Sequence, residues 1–158
     1  MINELVDQYQ KVYQGKAWYG KNIVDSLSAI PNALLCNRLN GSYNIVELVH
    51  HMLVWRRYAT HVLKHNEDYQ VKDEENFPVI DQCDETNWQN LLEKLRQSQE
   101  EMVRTMTNFN RSLDDPIPQK NFSNRDLLHS IIHHDIYHIG QINFMTKYLD
   151  RAPEAVSG

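Results

Sequence analysis

The sequence predicts an all-α fold, a four-helix bundle of long helices with two longer connections, on three observations. Five glycines and five prolines are few for 158 residues, and a β-rich chain turning about every ten residues would need more. Apolar residues recur at spacings of three and four over long stretches, the period of helices that bury one face. Several of these stretches open on polar residues placed to cap a helix. With 41% hydrophobic and 23% charged residues, the chain suits one soluble unit, taken as residues 1–150 followed by a flexible tail over 151–158.

From Ile2 to Tyr13 the row Leu5, Val6, Tyr9, Val12 and Tyr13 predicts the first helix. Gly15 and Gly20 permit a bend around Trp18, after which Ile23, Val24, Leu27 and Ile30 resume the apolar row until Pro31. Asn44 followed by Glu47 reads as a capping box that opens a second helix reaching about His65, its row being Val46 or Leu48, His51, Met52, Trp55, Tyr58 and Val62. Asn66 to Gln82 is polar, acidic and broken by Pro78, hence a loop. Asp84 or Thr86 can cap a third helix with Trp88, Leu91, Leu92, Leu95, Met102, Met106 and Phe109 inward and a solvated face of Glu93, Lys94, Arg96, Glu100, Glu101 and Arg104. Ser123 and Asp126 form a second capping box, opening a fourth helix to about Leu149 that buries Leu127, Leu128, Ile131, His134 or Asp135, His138, Met145 and Leu149.

Composition excludes several function classes. A formal charge of −5 with no basic block argues against nucleic-acid binding, which needs clustered cations. No apolar run approaches the roughly 18 residues of a membrane span, and Glu4 and Asp7 stand where a secretory signal carries cations. A cytoplasmic location is expected by default. Cys36 and Cys83 are too few and too unpatterned for a disulfide scaffold or a cysteine-built zinc site, which suits a reducing context.

The unusual count is histidine, eight in all. His134-Asp-Ile-Tyr-His138 places two imidazoles one helical turn apart, with Cβ atoms about 6 Å from each other, close enough to converge on one divalent ion. Both share a face with Leu127, Ile131 and Met145, where an imidazole without partners loses its hydrogen bonds on burial. His51, on the apolar row of the second helix, is a candidate third ligand, since bundles build metal sites from facing helices. On these residues alone, bonding to backbone or water inside the bundle explains the histidines as well as a metal does. Two chemistries are excluded: Asp135 stands where the metalloprotease helix motif carries its Glu, and a lone Glu-x-x-His, Glu47 to His50, falls short of a di-iron carboxylate bundle.

The segments Ile45 to Trp55 (IVELVHHMLVW) and His134 to Ile142 (HDIYHIGQI), with Trp18-Tyr-Gly20 between the first two apolar rows, resemble the DinB/YfiT-like superfamily over nearly the whole chain and in the expected order. The second segment is the more specific. The resemblance implies a four-helix bundle, often dimeric, holding a divalent metal on three histidines, which carry over to His51, His134 and His138. His51 is chosen over His50 because it keeps the His-x-x-x-Trp spacing to Trp55 and lies on the apolar side. His134 is chosen over His133 because its partner His138 is four residues on. His50, His61, His65, His129 and His133 are read as surface or supporting residues. Gln141 and Gly140 are read as supporting the ligands, Gln141 by orienting an imidazole and Gly140 by letting another helix approach closely. Trp18, Tyr19, Trp55 and Tyr137 are read first as core aromatics, with Trp18, Trp55 and Tyr137 also candidates for a pocket rim.

Three histidines leave a fourth position open on zinc, nickel or a similar ion. Because the superfamily includes transferases using low-molecular-weight thiols such as bacillithiol or mycothiol, the resemblance implies metal-assisted thiol transfer to a small electrophile, in a homodimer. The alternative is a non-catalytic bundle that binds metal or a small ligand in a stress response.

Overall fold

Asn44 and Glu47 close the capping box their spacing predicts: Asn44 Oδ1 accepts the Glu47 N–H at 2.9 Å and a Glu47 carboxylate oxygen accepts the Asn44 N–H at 3.1 Å. The helix so opened is the third in a computed structural model that describes residues 1–151. Its helices are α1 (Ile2–Gln14), α2 (Ile23–Ser28), α3 (Ile45–Leu63), α4 (Asp73–Asn76), α5 (Glu85–Thr107) and α6 (Asn124–Arg151), with a 3-10 turn at Asn32–Leu34. The described residues are thus helical and turn, with isolated bridges at Ala17–Gly20 and Pro116–Ser123 but no strand. α1 and α3 each pack against both α5 and α6, so the four longest helices enclose one core.

Of the two short helices, α2 realises the apolar row expected after the bend and only α4 was not foreseen. α2 forms where the apolar row Ile23 to Ile30 resumes, capped by Asn22, whose Oδ1 accepts the Asp25 N–H at 2.8 Å. α4 lies inside the segment read as loop and packs on α3. Asp84, not Thr86, caps α5 by accepting the Asn87 N–H at 2.9 Å. The Ser123–Asp126 box forms, with Asp126 accepting the Ser123 N–H at 2.9 Å. Gly20 has φ +143°, a conformation side chains rarely adopt. The tail expected over 151–158 falls, from 152 on, outside the described residues, and Arg151 ends α6.

One apolar stripe does not describe α3. From Ile45 to Val54 every residue except His50 is buried, because α5, α6 and α4 all pack on this helix. Farther along, Arg56 is fully buried, its Nε and Nη2 donating to Asp135 Oδ2 at 2.9 and 2.7 Å. The guanidinium also lies 5.3 Å from the ring centre of Tyr9 and 5.4 Å from that of Tyr13, so α1, α3 and α6 meet at one charge pair. Burial works against the Arg56 charge, but the Asp135 carboxylate and the two tyrosines hold its pKa up.

Glu47 ties three segments together. Besides capping α3, its carboxylate accepts from Arg38 Nη1 at 2.7 Å and from the Ile80 N–H at 2.9 Å. Burial alone would raise its pKa; Arg38 and the Ile80 and Asn44 N–H groups outweigh it and hold the carboxyl below its ordinary value of 4.5. A carboxylate depressed on folding stabilises the native state above the unfolded pKa and loses that contribution as pH falls through the folded one. Glu47→Gln is therefore expected to cost about 2 kcal/mol at neutral pH. Urea denaturation should show the gap from wild type closing as pH drops below 4.5; a constant gap down to about pH 3 contradicts the ion pair.

Cys36 and Cys83, 47 positions apart, are joined in a disulfide with Cα atoms 5.6 Å apart. This departs from the reducing context expected from their number. Nothing in the local pattern announces the pairing, since only the folding of the Asn66 to Gln82 segment back toward the 3-10 turn brings the two together.

Candidate metal centre

α6 presents His134 and His138 from successive turns, and α3 presents His51 opposite them. One nitrogen from each ring lies within 4.8 Å of the others, and His134 Nε2 is 3.0 Å from His51 Nε2. The ring centres stand 4.4 to 4.9 Å apart. His51 and His138 are buried and His134 is half-buried.

The hydrogen bonds behind the rings fix the protons. His51 Nδ1 lies 3.1 Å from the Asn76 carbonyl oxygen, and His138 Nδ1 lies 2.7 Å from Gln141 Oε1. The Gln141 amide is oriented in turn, its Nε2 donating to the Tyr137 hydroxyl at 3.2 Å. Carbonyl oxygens only accept, so each Nδ1 carries the hydrogen and each Nε2 is a bare lone pair. His51 and His138 thus each offer a bare Nε2, while the buried Nδ1 of His134 has no hydrogen-bond partner among the described residues and its Nε2 meets the His51 lone pair, as an N–H donor without a cation and as a fellow ligand with one. The 3.0 Å separation is close to the roughly 3.3 Å between two nitrogens of a tetrahedral shell with bonds of about 2.05 Å. Burial lowers the pKa of all three imidazoles, and burial together with the neighbouring His138, His51 and Arg56 takes that of His134 down to about 3. Neutral imidazole is the form that ligates a metal. The residues present therefore fit a divalent ion held by nitrogen donors.

Asn76 and Phe77 are parts of this site that sequence reasoning missed. Asn76 fixes His51 through its carbonyl and accepts the Trp55 Nε1–H at 2.9 Å through its side chain. Phe77 stacks on the His51 ring at 4.0 Å, and Tyr43 stacks on Phe77 at 3.8 Å. Phe77, one of two aromatics in the acidic loop, was the available signal.

The other predicted site residues divide. Gln141 sits behind His138 as expected, and Trp55 is half-buried with its ring centre 6.2 Å from those of His51 and His134. Tyr137 is 63% exposed but packs edge-on against His138 at 5.0 Å. Trp18 is 100% exposed and Tyr19 45% exposed. The core reading fails for Trp18, Tyr19 and Tyr137, and Trp18 leaves the pocket rim because the tight Ala17–Gly20 turn projects it into solvent. A Cβ on Gly140 would meet nothing within 4 Å, so no helix among the described residues approaches it. Asp135 turns away from the histidines to Arg56. Among the remaining histidines, His50 and His133 stay out of the cluster, His61 stacks on Tyr69 at 4.0 Å, His129 lies 6.1 Å from His133, and His65 is exposed beyond the end of α3.

If Gln141 orients His138, Gln141→Leu should weaken metal binding about 10- to 100-fold while leaving helix content unchanged. Competition with a chromophoric chelator reads this directly, and unaltered affinity would remove Gln141 from the site.

Long helices around three imidazoles, two of them anchored from behind, define an all-α protein with a site competent to hold a metal. Residues 20–142 match the family model of the DinB superfamily, and the chain belongs to that superfamily. No curated protein and no solved structure matches it. No helix among the described residues is long and apolar enough to cross a membrane.

Proposed function

We propose that the protein is a DinB-like four-helix bundle that holds zinc or nickel on Nε2 of His51, His134 and His138 and transfers a low-molecular-weight thiol of the bacillithiol type to a small electrophile, as a homodimer. The observation that carries this reading is the pair of fixed lone pairs on His51 and His138, converging with His134. Such an ion with an open position lowers the pKa of a thiol and presents it as thiolate.

The chain's own residues do the rest. Asn76 and Gln141 keep hydrogens on the outer nitrogens so that the inner ones stay free. Phe77 and Trp55 wall the cluster with rings that exclude water. Asp135 is engaged by Arg56, so the thiol would lose its proton to solvent on becoming thiolate, and the sulfur would then bond to carbon as the electrophile's leaving group departs with the bonding pair. The homodimer draws support from the outer face of α6, where Tyr137, Phe144 and Tyr148 are 63%, 62% and 54% exposed around the open Gly140. Sedimentation measures it.

The test of activity is thiol-dependent loss of monochlorobimane with bacillithiol as donor, abolished by chelator and by His138→Ala. Stoichiometric metal with no turnover across a panel of thiols and electrophiles would replace this reading by that of a non-catalytic metal-binding module.

A further inference from the structure

A cavity of about 460 Å³ opens beside the histidine cluster, with His134 in its wall. It lies within the roughly 300–1,000 Å³ typical of small-molecule pockets. α3 contributes Trp55 and Tyr58, α6 contributes Leu127 and Ile131, and the turn before α6 contributes Phe122 and Lys120. The Trp55 and Tyr58 rings meet edge-on at 5.3 Å, giving one flank of the cavity an aromatic surface.

The turn that carries Lys120 is built rather than loose. The Ile117 N–H donates to the Phe122 carbonyl at 3.1 Å and the Lys120 N–H to the Ile117 carbonyl at 3.0 Å, while Ile117 is 1% exposed and anchors the turn in the core. Lys120 is the one charged side chain lining the cavity. It is half-buried and forms no ion pair among the described residues. An ammonium partly withdrawn from water beside apolar walls gains most from an anion placed against it. A hydroxyl-rich sugar thiol finds few partners in this lining, whereas a flat apolar molecule with one acidic group matches both its surface and its charge.

We propose that this cavity binds the electrophilic substrate, an aromatic molecule bearing an anionic group, with the ring among Trp55, Tyr58, Phe122 and Ile131 and the anion on Lys120 Nζ. The role as electrophile rests on the transferase reading; the binding preference does not. It is tested by calorimetric titration with 4-phenylbutyrate and its uncharged isostere 4-phenylbutanamide, on metal-loaded and on chelator-treated protein. The acid should bind about tenfold more tightly than the amide in both forms. Lys120→Gln should bring the two affinities together. Ser130→Trp, at an exposed position in the cavity wall, should weaken both about tenfold or more with metal content unchanged.

The proposal is overturned if neither compound binds, if the preference for the acid survives Lys120→Gln, if Ser130→Trp leaves both affinities intact, or if the preference disappears with the metal, which would put the anion on the ion. Selective binding as described with no thiol transfer upholds the cavity and removes the transferase. Turnover of monochlorobimane with equal affinities for acid and amide does the reverse.

Discussion

Alanine at His51, His134 or His138 is expected to take the purified, untagged protein from about one equivalent of divalent metal to near none. Each substitution removes one of three donors, and the two left behind cannot close a shell without solvent. The preset lone pairs on His51 and His138 make those two positions especially sensitive, because their orientation exists before any ion arrives. His65→Ala is the control, since that side chain is exposed and outside the cluster. Elemental analysis measures content directly. Thermal unfolding gives a second readout, because an ion that binds only the folded state raises the midpoint with its concentration, a rise expected for wild type and His65→Ala alone. Equal metal in all four variants would defeat the assignment.

The second large effect lies in the core. Asp135→Asn is expected to destabilise the protein by about 3–5 kcal/mol, because it strands a buried guanidinium without its counter-charge. Arg56 is 0% exposed, and its other polar contacts, the Leu95 carbonyl and Ser98 Oγ, stand at 3.5 Å. The tyrosine faces supply attraction but no compensating charge. Replacing both partners, Arg56→Met with Asp135→Leu, should recover much of the loss, since similar apolar volume carries no desolvation penalty. Urea denaturation of wild type, single and double variants decides it, and a single-variant cost under about 1 kcal/mol would show that the pair does not hold the helices.

Much of the frame was legible because it is written locally. Asn44 with Glu47 and Ser123 with Asp126 mark helix starts within four residues, and the rows on α1, α5 and α6 repeat at helical spacing. His51, His134 and His138 were legible for the same reason, two by spacing and the third by its neighbours on an apolar row. What escaped was long-range. Arg56 and Asp135 are 79 positions apart, and nothing near either announces the other. Asn76 reaches His51 from 25 residues away through a backbone carbonyl, a group that every residue type possesses. Trp18 misled because aromatic character suggests burial, while a tight turn can expel any ring.

Glu47 reaches the candidate site without touching it. It sits one helical turn before His51, and by gripping the Ile80 N–H it docks the strip of chain that ends a few residues after Asn76 onto the start of α3. The carbonyl that selects the tautomer of His51 is thereby indexed to the helix bearing that imidazole. The choice of nitrogen offered to an ion is hard-wired by a carboxylate at the helix start, so a change there would travel to the coordinating atom as an error of alignment.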